Sequence, residues 1–185
     1  MIAADSFKSY LELLGQRLEQ RGIAASIILF GGGAMALQYA ARTQTQDLDV
    51  YYRTDNRELV QEIAEEIARE HGLDTKWIND RGKIYLTSEV IASAQPFLIC
   101  SSLEVLTPSA EALLAMKILS MRMGPGLVDY GDAKFLTKEL DLRELDDALE
   151  IVYRFYPKEK GRLKPVQILG IDNVIQELAR ERGMQ

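Results

Sequence analysis

Apolar residues Phe7, Tyr10, Leu11, Leu14 and Leu18 recur at helical spacing near the start of the chain, with Asp5 or Ser6 available as a cap and Gly22 as a stop. The period then changes. SIILF, residues 26–30, is short, β-branched and continuous, as a buried strand should be, and a triple glycine separates it from AMALQYAA, which reads as a short helix. In DLDVYY, residues 47–52, the period is two: Asp47, Asp49 and Tyr51 share one face, and Leu48, Val50 and Tyr52 the other. NRELVQEIAEEIAREHG returns to helical spacing and closes on Gly72. KIYL from 83, PFLIC from 96 and LEVL from 103 read as short strands.

Beyond Leu106 the pattern is helical throughout. Thr107 and Pro108 open SAEALLAMKILSMRMG, with the proline suited to the first helical position, and YGDAKFLTKEL supplies a second helix. Asp141 and Glu144 have capping-box spacing before LRELDDALEIVYRFYP, and Asp172 is a candidate cap for a last helix. The expected architecture is α+β: a mixed α/β core over residues 1–106 and a helical part over 107–185, without repeats or low-complexity tracts.

Composition narrows the function classes. A net charge of -6 argues against a broad nucleic-acid or anionic-membrane surface, and 47% hydrophobic residues suffice for a core in a chain of 185. The lone Cys100, set in PFLIC, excludes an intramolecular disulfide and reads as a buried small side chain, which fits a reducing cytosol. The start of the chain has neither the basic head nor the apolar stretch of a signal peptide, so a cytoplasmic location without membrane attachment is expected. One histidine, His71, stands at a helix C-terminus and reads as structural, which argues against a histidine-based triad or zinc site. Trp77 reads as a packing residue and KEKGRLK, residues 158–164, as a solvated loop.

Chemistry concentrates in FGGGAMALQYAARTQTQDLDVYY, residues 30–52. Aspartates at i and i+2 on a strand lie about 7 Å apart along the backbone, and their side chains can converge on a hard cation such as magnesium. Glycines leading into a helix N-terminus expose N–H groups to a phosphate. Either feature alone is ordinary, as the outer face of an edge strand or as a turn. Together Gly32, Gly33, Asp47 and Asp49 point to a metal-bound polyphosphate. Gly31, Gly33, Ala36 and Asp49 also approximate a dinucleotide fingerprint, but the chain lacks strand–helix alternation after it, and the acid opens its strand where such a fold needs it at the end.

The strand, Gly32-Gly33 and Asp47-Leu48-Asp49-Val50 resemble the signature of the nucleotidyltransferase superfamily related to DNA polymerase beta. LTPSAEALLAMKILSMR and VDYGDAKFL resemble the second half of its AbiEii-type and MenT-type branch, and LRELDDALEIVYRFYP the helical tail of bacterial stand-alone members. The resemblance implies a mixed sheet with flanking helices, Mg²⁺ held by Asp47 and Asp49, and an NTP whose triphosphate meets Gly32, Gly33 and Lys117. It further implies Asp129 as a later catalytic acid with Asp132 beside it, a tRNA or protein hydroxyl as acceptor, and a toxin paired with a cognate antitoxin, or a phage-defence role. Two departures stand out: Arg42 falls one place early for the Arg-x-Thr-x-Asp of that branch, and a third carboxylate has three candidates in Asp80, Glu89 and Glu104. A fold kept without catalysis, as a partner-binding or antitoxin-like module, is the alternative. Without the resemblance, Lys117 reads as a surface lysine and Asp129 with Asp132 as a solvated helix face.

Overall fold

The computed structural model describes residues 1–122 and 127–183, and the chain divides into two compact units. The first comprises Met1–Leu86 and Ala94–Pro108, the second Thr87–Ser93 and Ser109–Gln185. The expected helix over residues 109–124 reaches Met123 and Gly124, which lie outside the described residues.

In the first unit the order is β1 (Ile2–Ala3), α1 (Ala4–Gln20), β2 (Ala25–Phe30), α2 (Gly31–Leu37), β3 (Gln44–Thr45), β4 (Leu48–Tyr52), α3 (Arg57–His71), β5 (Ile78–Asn79), a 3-10 turn (Arg81–Tyr85), β6 (Gln95–Cys100) and β7 (Leu103–Thr107). Five strands form one mixed sheet in the order β5-β4-β2-β7-β6, with β2 antiparallel to β4 and parallel to β7. The central position of β2 explains its unbroken apolar run, since Ile27, Ile28, Leu29 and Phe30 are all buried. Strand β4 alternates as expected, with Leu48, Val50 and Tyr52 buried and Asp49 and Tyr51 half-buried. Helices α1 and α3 face each other through Arg17 and Arg21, which pair with Glu62, Glu66 and Glu70. Trp77 is fully buried, and its indole N–H donates to the Ala64 carbonyl at 2.9 Å.

The second unit is helical: α4 (Ser88–Ala92), α5 (Ala110–Ser120), α6 (Val128–Glu139), α7 (Leu145–Phe155) and α8 (Pro165–Gly183). Its apolar interior includes Leu113, Leu114, Leu136, Ile151, Val152, Ile171 and Val174. The mixed sheet with flanking helices and the helical later part together make the α+β architecture expected above.

Several local expectations are corrected. KIYL forms the 3-10 turn and its exit, not a strand: β5 ends at Asn79, and Asp80 binds Lys83 within the turn and Arg57 of α3; Ile84 is 81% exposed. Neither Asp5 nor Ser6 caps α1, which starts earlier, at Ala4, where the β1–β3 pairing delivers the chain and Ala4 N–H bonds Thr43 at 3.0 Å. Helix α5 starts after the proline, capped by Ser109, which accepts from Ala112 N–H at 3.2 Å. Asp141 and Glu144 form no capping box: Asp141 has φ 49° and binds Arg143 and Arg182. Asp172 lies inside α8, whose start is Pro165, with Gln167 reaching back to Lys164 N–H at 2.7 Å.

Candidate functional site

The strand-to-helix junction at the glycines has no intervening loop. Phe30 is extended, Gly31 turns with φ +62°, and the three glycines are the first turn of α2, which ends at Leu37, so of the expected helix AMALQYAA only residues 34–37 are helical and Ala40 already has φ 49°. The first N–H groups of a helix have no partner within it, and glycine leaves them open to approach. A Cβ on Gly31 would stand 3.2 Å from an Asp49 carboxylate oxygen. One on Gly32 would stand 3.1 Å from the Thr45 hydroxyl and 3.3 Å from the Arg42 guanidinium. Gly33 differs, because a Cβ there would meet Leu29 and Leu48 at 2.8 Å each. Gly31 and Gly32 thus turn toward polar groups, while Gly33 lets α2 close on the apolar face of the sheet.

The aspartates are carried by β4 and the residue before it. Asp49 pairs across the sheet with Phe30 on β2 and with Asn79 on β5. Asp47 accepts at its carboxylate from the Asn79 amide at 3.1 Å, and its carbonyl accepts from the Thr45 hydroxyl at 3.3 Å. Gly82 packs so closely over Phe30 that a Cβ would lie 2.6 Å from the ring and 3.4 Å from the Asp49 carboxyl carbon. The segment from Asn79 to Gly82 therefore holds Asp47 at one end and lies against Asp49 at the other.

Of the three candidate third acids, the two in the first unit, Asp80 and Glu104, do not join this pair. Asp80 is the neighbour of Asn79, and its carboxylate is taken by Arg57 at 2.8 Å and Lys83 at 3.2 Å. Glu104 is opposite Ser26, whose hydroxyl donates to it at 3.0 Å; Asp49 is opposite Phe30 on the same strand. That separation along β2 is about 13 Å by the strand rise, too long to share an ion. Glu89 is an exposed residue of α4 in the second unit. Among the described residues, no group of three or more His, Cys, Asp and Glu side chains could hold a metal ion. Two carboxylates nevertheless fit magnesium, which takes one or two from the protein and its remaining oxygens from water and phosphate.

The remaining expected residues belong to the second unit. Lys117 is 7% exposed on α5, and its ammonium binds Asp129 at 2.9 Å and Asp132 at 2.8 Å, both on α6. The surface lysine and solvated acids expected from spacing alone are corrected, since α5 is apolar around most of its circumference and Asp132 is buried with Lys117. Farther along α6, Tyr130 and Lys134 both donate to Glu177 of α8, at 2.7 and 2.8 Å. The Lys134 ammonium and then the Tyr130 hydroxyl hold the Glu177 carboxyl below its ordinary range.

Sequence pattern missed Asn79 and Gly82. A two-residue strand has no period to read, and the only local signal was a glycine three residues after an asparagine. Arg42, read as a departure from motif spacing, stands beside Gly32 with Thr45.

The family whose model matches residues 7–164 is described as "Nucleotidyltransferase of unknown function (DUF6036)". A comparison with curated proteins finds no match.

Proposed function

The chain belongs to this family of nucleotidyltransferases of unknown function, and from that premise we propose that it moves a nucleotidyl group from an NTP to a hydroxyl of RNA or protein. The acceptor hydroxyl gives up its proton to solvent as its oxygen bonds the α-phosphorus, the bond from that phosphorus to the oxygen bridging the β-phosphate breaks, and pyrophosphate leaves. Asp47 and Asp49 hold Mg²⁺, which when bound supplies charge neutralisation at the phosphates and activation of the acceptor hydroxyl. The first turn of α2 receives phosphate oxygens at Gly32 and Gly33 through backbone N–H groups. Lys117 and Asp129 are assigned to the triphosphate and to catalysis on the resemblance of the second half of the chain. Their shared ion pair gives that assignment a charged, largely buried group to act with.

The observation that carries this proposal is the convergence of Asp49 on Gly31, with the Asp47 carboxylate bonded to Asn79, the residue level with Asp49 in the sheet. The resemblance to the AbiEii-type and MenT-type branch favours a tRNA 3′ end or a protein side chain as acceptor, and a toxin with a cognate antitoxin as the biological setting. A net charge of -6 favours a small RNA footprint over an extended one.

Calorimetric titration of each NTP, with and without Mg²⁺, on wild type and on Asp47→Ala/Asp49→Ala tests it. Magnesium-dependent binding lost in the double variant is expected. A folded wild type that binds no NTP overturns the proposal and favours a second reading, a partner-binding module without catalysis. The amide of Asn79 beside Asp47, where a carboxylate would complete a three-acid site, is the observation behind that alternative.

A further inference from the structure

Asn79 is 7% exposed, and its side chain is bonded at both ends. Its amide nitrogen donates to the Asp47 carboxylate at 3.1 Å and to the Lys76 carbonyl at 3.3 Å, while its oxygen accepts from the Arg81 N–H at 3.0 Å. Reversing the amide would set an acceptor against two acceptors and a donor against a donor, so only this orientation is satisfied. The backbone fixes the same residue independently, because β5 pairs in parallel with β4 and places Asn79 level with Asp49.

We propose that Asn79 is the positioning residue of the acidic pair. Its buried amide holds the Asp47 carboxylate in one orientation, and its neutrality keeps the number of acids at two. The inference rests on the nucleotidyl-transfer proposal and names a residue through which that site is held. A half-buried carboxylate without this donor would sample several rotamers, and a metal ligand that must first be ordered binds its ion more weakly. A carboxylate in place of the amide would come within hydrogen-bond distance of Asp47 and level with Asp49, forming a three-acid cluster able to take a divalent ion without nucleotide.

The test titrates wild type, Asn79→Ala and Asn79→Asp with Mn²⁺ alone, and with the best-bound NTP in Mg²⁺ and in EDTA; Trp77 fluorescence reports the fold. For Asn79→Ala, the Mg²⁺-dependent part of NTP affinity falls about 10- to 100-fold, the usual effect of losing a partner of a metal ligand. Its affinity in EDTA is unchanged, whereas a general loosening of the fold would lower both. Asn79→Asp binds Mn²⁺ alone more tightly than wild type. It keeps the volume and the acceptor for Arg81 N–H, so it decides the matter if Asn79→Ala does not fold. Wild-type titrations from a folded Asn79→Ala, or no gain in Mn²⁺ affinity from Asn79→Asp, overturn the role of Asn79 and leave the nucleotidyl-transfer proposal standing. No NTP binding by wild type overturns both.

Discussion

Lys117 and Asp132 are joined by an ion pair of 2.8 Å in which both side chains are more than nine-tenths buried. Asp129, at 32% exposure, completes the cluster from the same helix. Removing one member of a buried pair leaves the other charged and desolvated. Lys117→Met is therefore expected to lower the stability of the second unit by about 3–5 kcal/mol, and Lys117→Met/Asp132→Leu to recover much of that loss. Urea unfolding of the single and double variants checks this, and equal losses in both would show that burial of the cations and acids is not the dominant cost.

Two glycines in helices are expected to respond to alanine in opposite directions. On Gly15 of α1 a Cβ would come within 2.7 Å of the Cys100 carbonyl carbon, with the carbonyl oxygen nearer still. Gly15→Ala must push α1 away from β6, at a cost of about 1–3 kcal/mol or more. Gly131 of α6 has nothing within 4 Å of the same position, so Gly131→Ala is expected to stabilise by about 0.5–1 kcal/mol. Thermal unfolding of both variants measures the contrast.

The Glu177 cluster predicts an acid-dependent increment of stability. Its folded-state carboxyl is held down first by Lys134 and then by Tyr130, so the stabilisation is complete above the unfolded value of about 4.3 and fades as pH falls through the lower folded value. Glu177→Gln should therefore be less stable than wild type at neutral pH, with the gap closing below about pH 4. The side chain is 35% exposed, so solvent reduces the effect. Unfolding curves across pH that stay parallel for the two proteins would contradict it.

Cys100 is 4% exposed, and burial pushes its thiol up to about 11. The thiolate is the reactive form, so the folded protein is expected to resist a thiol reagent at pH 8 and to react once denaturant is added. Absorbance-monitored labelling with and without denaturant measures this directly.

Much of the fold was legible because burial follows period. Leu48, Val50 and Tyr52 alternate with Asp49 and Tyr51 in sequence and in exposure, and SIILF is apolar because β2 has neighbours on both sides. The acidic strand and the glycine junction were legible for the same reason. Asn79 and Gly82 were not, since what places them is a two-residue parallel pairing and a close approach to Phe30 and Asp49, and neither leaves a pattern. Lys117 was misplaced by periodicity because its neutralising partners lie on the next helix, beyond the range over which spacing reports contact. KIYL shows the limit of composition: four residues suited to a strand fold into a turn, with a local side-chain bond from Lys83 to Asp80 in place of a ladder.

The segment Thr87–Ser93 belongs to the helical unit although strands of the first unit precede and follow it. There Val90 is fully buried and the Thr87 hydroxyl donates to the Phe155 carbonyl at 2.8 Å. The chain thus passes between units after Leu86, Ser93 and Pro108, and no single cut separates them. A gene fragment ending at Pro108 would encode every strand of the sheet together with a short helix stripped of its own core, and one beginning at Ser109 would lack that helix. Dissection of this protein calls for a deletion or replacement of residues 87–93 alongside any truncation, and recombination at the helical boundary alone would exchange incomplete parts.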